Sequence, residues 1–341
     1  MERNTKRIWL MTACLCAIII VAVVYYYFFS SFSAMHTTQY VYIDKDDTAD
    51  SVYTKLTPIS SEHSMMAIRT LARHSNYADN IKTGRYAIAP GEGALKVFRH
   101  IKNGQQSPVH LTIPDVRTVD KLAGALSKHL MLDSLTILEA LRNNATCAKY
   151  GYDTTTIPAL FIPNTYDIYW NIGLDNFLQK MQRENKKFWN FERMQKASAM
   201  GMSPIQVTTL ASIIDEETAN NGEKPMIAGM YYNRLKANMP LQADPTIKFA
   251  LKKFELHRIY NNMLYIHSPF NTYKNTGLPP GPIRIASVAG IDAVLNHVHH
   301  DYMYMCAKED FSGTHNFART YSEHMQNAAK YSKALNNRGI K

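Results

Sequence analysis

The sequence predicts an α+β protein carried on a single N-terminal transmembrane helix, and three observations predict it. An uncharged run of 22 residues, Ile8 to Phe29, stands near the N-terminus and is long enough to cross the hydrocarbon of a bilayer. Short alternating segments punctuated by Gly and Pro follow, among them Gln39 to Ile43 and Gly84 to Ile88, with the period of half-buried strands. Much of the remainder spaces its apolar residues three and four apart, as amphipathic helices do. With 341 residues, 46% hydrophobic and 19% charged, the chain can bury a sizeable core in about two domains, which excludes a disordered or collagen-like chain.

The elements follow in order. Glu2, Arg3, Lys6 and Arg7 precede the apolar run, and this basic excess places residues 1–7 in the cytoplasm and about 300 residues outside it. The run closes on Tyr25, Tyr26, Tyr27, Phe28 and Phe29, an interfacial aromatic belt in place of the small residues of a cleavage site, so an uncleaved anchor is expected over 8–33. Residues 34–115 read as a small α+β module: a strand, a polar turn Asp44 to Ser51 capping a short helix, a strand at Gly84 to Ile88, a turn at Pro90 to Gly93, a helix Ala94 to Asn103 and a strand Val109 to Ile113. Residues 116–199 read as a mostly helical connecting region, broken where Pro158 and Pro163 forbid a continuous helix and followed by a loop at Asn164 to Tyr166. The last domain, 200–341, opens on a strong helix start, with Ser203 as cap, Pro204 in the first turn and Gln206 completing a capping box. His315 falls on a hairpin strand paired with the run Tyr302 to Ala307.

A formal charge of +10 favours anionic partners. An exported, tethered chain without a basic stripe interleaved with aromatics points to anionic lipid head groups or an anionic cell-wall polymer rather than nucleic acid. Cys14 and Cys16 lie in the span and Cys147 and Cys306 outside it. A buried free thiol at Cys306 is favoured over pairing with Cys147. Neither a Gly-rich phosphate loop nor metal-ligand spacing is present, so no metal and no cofactor are expected.

Chemistry concentrates in the last third. Val207, Leu210, Ala211 and Ile214 form an apolar stripe, and Asp215, Glu216 and Glu217 follow it. At about 100° per residue, Glu216 points away from the stripe and reads as a solvated charge, whereas Glu217 and Asp215 flank it. Partial burial of Glu217 would raise its pKa, as a general acid at neutral pH requires. Periodicity alone equally allows all three carboxylates simply to end an amphipathic helix. In the next helix, Pro225 to Ala237, Arg234 shares a face with Ile227, Met230 and Tyr231, which implies a nearby carboxylate or an anionic ligand, unless the side chain snorkels to the surface. Rigid polar loops follow at Leu241 to Thr246, Phe270 to Tyr273 and Gly277 to Ile283.

These residues together form a pattern. Ala211 to Thr218, Asn233-Arg234-Leu235, Met239 to Thr246, Asn271-Thr272-Tyr273, the GLPPGPI run from Gly277, and Gly313 to Phe317 resemble, in order, the endolytic murein transglycosylase (MltG, YceG-like) family over about residues 200 to 325. The anchor and a LysM-like module extend the resemblance more weakly. It implies that Glu217 is the catalytic residue. Asp215 stands where Glu is usual, Glu216 where Lys is common, and Ala243 where Thr is common. The implied reaction cleaves peptidoglycan between N-acetylmuramic acid and N-acetylglucosamine within glycan strands, leaving 1,6-anhydromuramyl ends. Glu217 would act as acid and then as base, with Gln242, Asp244, Asn271, Tyr273 and His315 as substrate-binding residues and Asn233 and Arg234 as supporting or anion contacts. The implied setting is the bacterial cytoplasmic membrane, crossed once, with the catalytic domain outside and peptidoglycan synthases as partners. A muramidase in which Asp244 activates water, a membrane-anchored wall-binding scaffold and, more distantly, a basic DNA-binding protein are the competing readings.

Overall fold

The computed structural model describes residues 2–256 and 258–338, with backbone only for Glu2 and Arg3. Those two flanking side chains and the last three residues of the expected 200–341 domain lie outside the described residues. The fold is mixed α/β, and the chain divides into two compact units, the first holding residues 1–111, 129–131 and 166–172, the second 112–128, 132–165 and everything from Gly173 on.

The first unit begins with α1 (Glu2–Phe28), a helix long and apolar enough to be a membrane anchor or a signal sequence. Within the expected span of 8–33 the helix ends at Phe28, and the residues after it belong to the same unit. Ser31 bridges to Gly93, the Phe32 N–H donates to the Glu92 carbonyl at 2.7 Å, and the Phe32 ring is fully buried. Gly93 is required there: a Cβ would lie 2.7 Å from the Phe28 carbonyl oxygen. His63 fastens the junction from the side, stacking on Tyr26 with centroids 4.2 Å apart while its Nε2 lies 2.8 Å from Ser30 Oγ.

Next come β1 (Gln39–Ile43), α2 (Ala49–Leu56), α3 (Glu62–Arg73), β2 (Gly84–Ile88) and α4 (Ala94–Asn103). β1 and β2 pair antiparallel, Gln39 opposite Ile88 and Ile43 opposite Gly84, and their alternate side chains bury Val41, Ile43, Tyr86 and Ile88 against the helices. A capping box between Thr48 and Ser51 starts α2, and Gly104 in the left-handed region ends α4. β3 (Val109–Thr112) pairs with β4 (Thr165–Ile168). Of the expected loop at Asn164 to Tyr166, Thr165 and Tyr166 therefore begin a strand.

The second unit is largely helical: α5 (Val119–Ser127), α6 (Ser134–Leu141), α7 (Asn144–Ala148), α8 (Leu174–Phe188), α9 (Phe191–Ala199), α10 (Pro204–Glu217), α11 (Lys224–Lys236), α12 (Asp244–Leu251) and α13 (Val288–Leu295). The hairpin β5 (Tyr304–Ala307) and β6 (His315–Ala318) and the terminal α14 (Tyr321–Asn337) complete it. α10 is its axis. Every residue from Val207 to Ile214 is buried, and α9, α11, α12 and α13 surround it. The hairpin is the expected one, with His315 opposite Ala307.

Candidate active site

Three consecutive carboxylates at the end of α10 project in three directions, and each meets a different environment. Asp215 is buried beneath α13, where it accepts hydrogen bonds from Lys224 Nζ (2.7 Å), the Ser287 N–H (2.7 Å) and Ser287 Oγ (2.8 Å). A Cβ on Gly290 would stand 2.6 Å from this carboxylate, so only glycine lets α13 approach. Glu216 is not the solvated charge that its helical position predicts. Its side chain is 10% exposed and held by Arg117 (Nε to Oε1, 2.8 Å) and Arg284 (Nη1 to Oε1, 3.0 Å). Because α10 is buried all round, the side opposite its apolar stripe faces protein rather than water.

Glu217 opens into a cleft of about 500 Å³. Its carboxyl is half-buried and accepts a 2.6 Å hydrogen bond at Oε1 from Tyr231 Oη, itself fully buried on α11. Burial raises the Glu217 pKa from 4.5 to about 7. The Tyr231 hydrogen bond opposes that rise, the charge of Asp244 adds to it, and His315 and Lys248 lower it. Burial and the adjacent Glu217 carboxyl push the Tyr231 phenol far above its usual range, so it stays a donor.

Asp244, at the start of α12, is exposed on the same cleft, and Tyr273 Oη donates to its Oδ1 at 2.5 Å. Burial, then this bond, raise the Tyr273 pKa. Gln242 reaches the cleft from a left-handed backbone (φ 53°), a conformation uncommon outside Gly and Asn. Its Oε1 accepts from Arg234 Nη1 at 3.2 Å.

Arg234 is 6% exposed and does not snorkel. Among the described residues no carboxylate pairs with it, and backbone carbonyls hold it instead: Nε donates to Met303 (2.6 Å), and Nη1 to Pro240 (3.0 Å) and Leu241 (2.9 Å). The Tyr304 ring lies 5.1 Å from the guanidinium carbon. One side chain thus ties α11, the hairpin and the loop before α12 around the cleft. Burial depresses its pKa from 12.5, which leaves it charged at neutral pH.

His315 lines the same cleft. Buried Glu223 accepts from the His315 backbone N–H at 2.6 Å, and its other oxygen lies 3.0 Å from Nδ1. A carboxylate at that distance assigns the ring hydrogen to Nδ1 and fixes the ring plane.

Glu217, Arg234, Gln242, Asp244, Tyr273 and His315 therefore share one cleft. Asn233 and Asn271 do not line it. The Asn233 amide donates to the His300 and Tyr302 carbonyls (2.6 and 3.1 Å), anchoring the segment before β5. Fully buried Asn271 donates to the Leu264 and Ile266 carbonyls, both at 2.9 Å, and pins its own loop. Both brace backbone beside the cleft. Sequence reasoning missed Tyr304, Tyr321 and His324, which complete the cleft, and the role of Tyr231 beyond its apolar stripe. The i, i+3 spacing of Tyr231 and Arg234 on one buried face was the available signal. Cys147 and Cys306 are both free thiols; Cys147 is buried and Cys306, half-buried, lines the cleft.

A glutamate that keeps its proton near neutrality, in an open polar cleft beside a carboxylate–phenol pair, defines an acid–base site. The YceG-like family matches residues 41–330, and the chain belongs to that family. It is similar to the endolytic murein transglycosylase of Bacillus subtilis (strain 168), with 42% identity over 135 residues, 40% of this chain and 37% of that protein. It is also similar to the endolytic murein transglycosylase of Streptococcus pneumoniae (strain ATCC BAA-255 / R6), with 26% identity over 298 residues, 76% of this chain and 52% of that one. The matched chain thus spans about half, or less, of these relatives. The 2.6 Å crystal structure of a YceG-like protein from Listeria monocytogenes shares the fold, with a TM-score of 0.55 and 24% identity over 86% of this chain and 99% of that one.

Proposed function

We propose that the protein is a membrane-anchored endolytic lytic transglycosylase that cuts peptidoglycan between N-acetylmuramic acid and N-acetylglucosamine inside the glycan strand. The observation that carries the reading is the Glu217 carboxyl, whose pKa of about 7 leaves a large protonated fraction at neutral pH. With Oε1 occupied by Tyr231, the proton sits on Oε2. Glu217 gives it to the glycosidic oxygen as the bond to the anomeric carbon breaks. The resulting carboxylate takes the proton from the muramyl 6-hydroxyl, whose oxygen bonds to the anomeric carbon. One group serves both steps, water is not consumed, and a 1,6-anhydromuramyl end results. Asp244 and Tyr273 would hold sugar hydroxyls or the positive charge developing at the anomeric carbon, Gln242 the acetamido group, and His315 the far edge of the sugar.

The remaining assignments belong to the same proposal. α1 crosses the cytoplasmic membrane once with the N-terminus inside, the first unit contains a LysM-like glycan-binding module, and the enzyme ends strands as synthases extend them. A muramidase is the second reading, favoured by the position of Asp244 in the same cleft, where it would activate water. Mass spectrometry of purified peptidoglycan treated with the wild type and with Glu217→Gln decides between them. Anhydro ends from the wild type alone support the proposal, reducing ends favour the muramidase, and unchanged glycan points to a binding scaffold.

A further inference from the structure

The second unit contains another cavity, of about 560 Å³, which the reaction above does not use. Its floor is aromatic: Phe249 packs against Phe270 and Phe254 with ring centroids 4.8 and 6.3 Å apart. Three cations, Arg117, Arg142 and Lys252, stand around it against one carboxylate, Asp120. Arg142 pairs with Asp120 at 2.6 Å and Arg117 with Glu216, while Lys252 is exposed at the end of α12. The GLPPGPI run forms part of the wall through Pro282. Gly281 lets it close on the chain, since a Cβ there would lie 2.5 Å from the Thr155 carbonyl oxygen. Aromatic faces beside surplus positive charge suit a ligand with both apolar groups and free carboxylates.

The two cavities lie at opposite ends of α12, whose first residue Asp244 lines the catalytic cleft and whose C-cap Lys252 lines the second cavity. Eight residues of helix rise about 12 Å, and an extended peptide of four residues spans about 13 Å.

We propose that the second cavity holds the peptide arm of the glycan substrate, a short acidic peptide hanging from the lactyl group of a muramyl residue seated in the catalytic cleft. The inference rests on the transglycosylase reading and deepens it: the enzyme reads the peptide as well as the sugar. Lys252, which pairs with no carboxylate among the described residues, takes a carboxylate, and the phenylalanine rings take the apolar side chains.

The test compares the full chain in detergent micelles on uncross-linked glycan strands with peptides intact and on the same strands stripped by an amidase. The wild type should cleave intact strands with kcat/KM about tenfold higher, the scale of a charge-assisted contact. Lys252→Glu should abolish that preference and leave the rate on stripped strands unchanged. Phe254→Ala should weaken the preference in the same direction. A synthetic tetrapeptide of the same sequence, titrated by fluorescence anisotropy, should bind the wild type and not Lys252→Glu. Equal cleavage of both strands by the wild type, or a preference that survives both substitutions, overturns the inference while the enzymatic reading stands. Peptide binding that depends on Lys252 without cleavage of either strand overturns the enzymatic reading instead and leaves the acidic-peptide site.

Discussion

Replacing Glu217 by Gln should abolish turnover and at the same time stabilise the protein above neutrality. In the folded chain this carboxyl holds its proton up to about pH 7, whereas the ordinary value is 4.5. Between those values the folded state therefore binds more protons than the unfolded state. The stability linked to that proton is fully present below 4.5 and is lost as pH rises through 7. The gap between 4.5 and 7, at about 1.4 kcal/mol per pH unit, amounts to about 3 kcal/mol. A glutamine at 217 does not titrate, and its carbonyl oxygen still accepts from Tyr231. Melting curves of the two proteins in the same detergent should accordingly lie close together at pH 4.5. At pH 8 they should separate by roughly 6 to 12 °C in favour of the variant, at about 2 to 4 °C per kcal/mol. Wild-type kcat/KM should fall about tenfold per pH unit above 7, because the first step needs the protonated acid. Melting temperatures that stay parallel from pH 4.5 to 8 would mean that Glu217 titrates like an exposed carboxyl, and the argument for its role as acid would be lost.

Tyr231→Phe removes the hydrogen bond that opposes the rise in the Glu217 pKa, so the alkaline limb of the pH–rate profile should move to higher pH while kcat drops roughly tenfold; an unmoved limb rejects the assignment. Glu216→Gln takes the carboxylate from Arg117 and leaves Arg284 only its pair with Asp115 and should cost about 2 kcal/mol, discounted for the exposure of Arg117; a denaturation midpoint equal to that of the wild type would restore the solvated reading. Gly290→Ala drives a methyl group into the Asp215 carboxylate and should lower stability by about 1 to 3 kcal/mol, measured by urea unfolding, with a variant as stable as the wild type counting against that close approach.

Where the sequence was legible, local chemistry and tertiary packing agreed. β1 and β2 alternate cleanly and are bounded by turn residues, α4 ends on a left-handed Gly104, and the Ser203–Gln206 capping box starts α10 as its residue types require. β4 was hidden because Thr165 to Ile168 is only four residues long and follows a Pro–Asn pair, which reads equally well as a turn. Glu216 was misplaced for a different reason. Hydrophobic periodicity assumes a solvent side, and α10 has none from Val207 to Ile214. Asn233 and Asn271 show the limit of side-chain type as a guide, since an amide that caps backbone carbonyls is the same residue as one that binds a sugar. The position of Glu217 on the cleft was legible at the edge of the apolar stripe, where the resemblance to the family also pointed.

Phe32 sits four residues beyond the end of α1 with its ring in the core of the first unit. In the anchored enzyme proposed above, Tyr27 and Phe28 at the end of the span pack against this core, and no long tether separates the two. A flexible tether would let the unit sweep a hemisphere and meet glycan at many heights. This junction gives it one height and one rotational setting about the axis of α1, so one inserted residue in α1, which adds about 100° of helix, would turn the whole unit like a key on its shaft. On that same proposal, glycan gripped by this unit would be held in the thin layer next to the bilayer, and strands that had moved outward would pass beyond its reach.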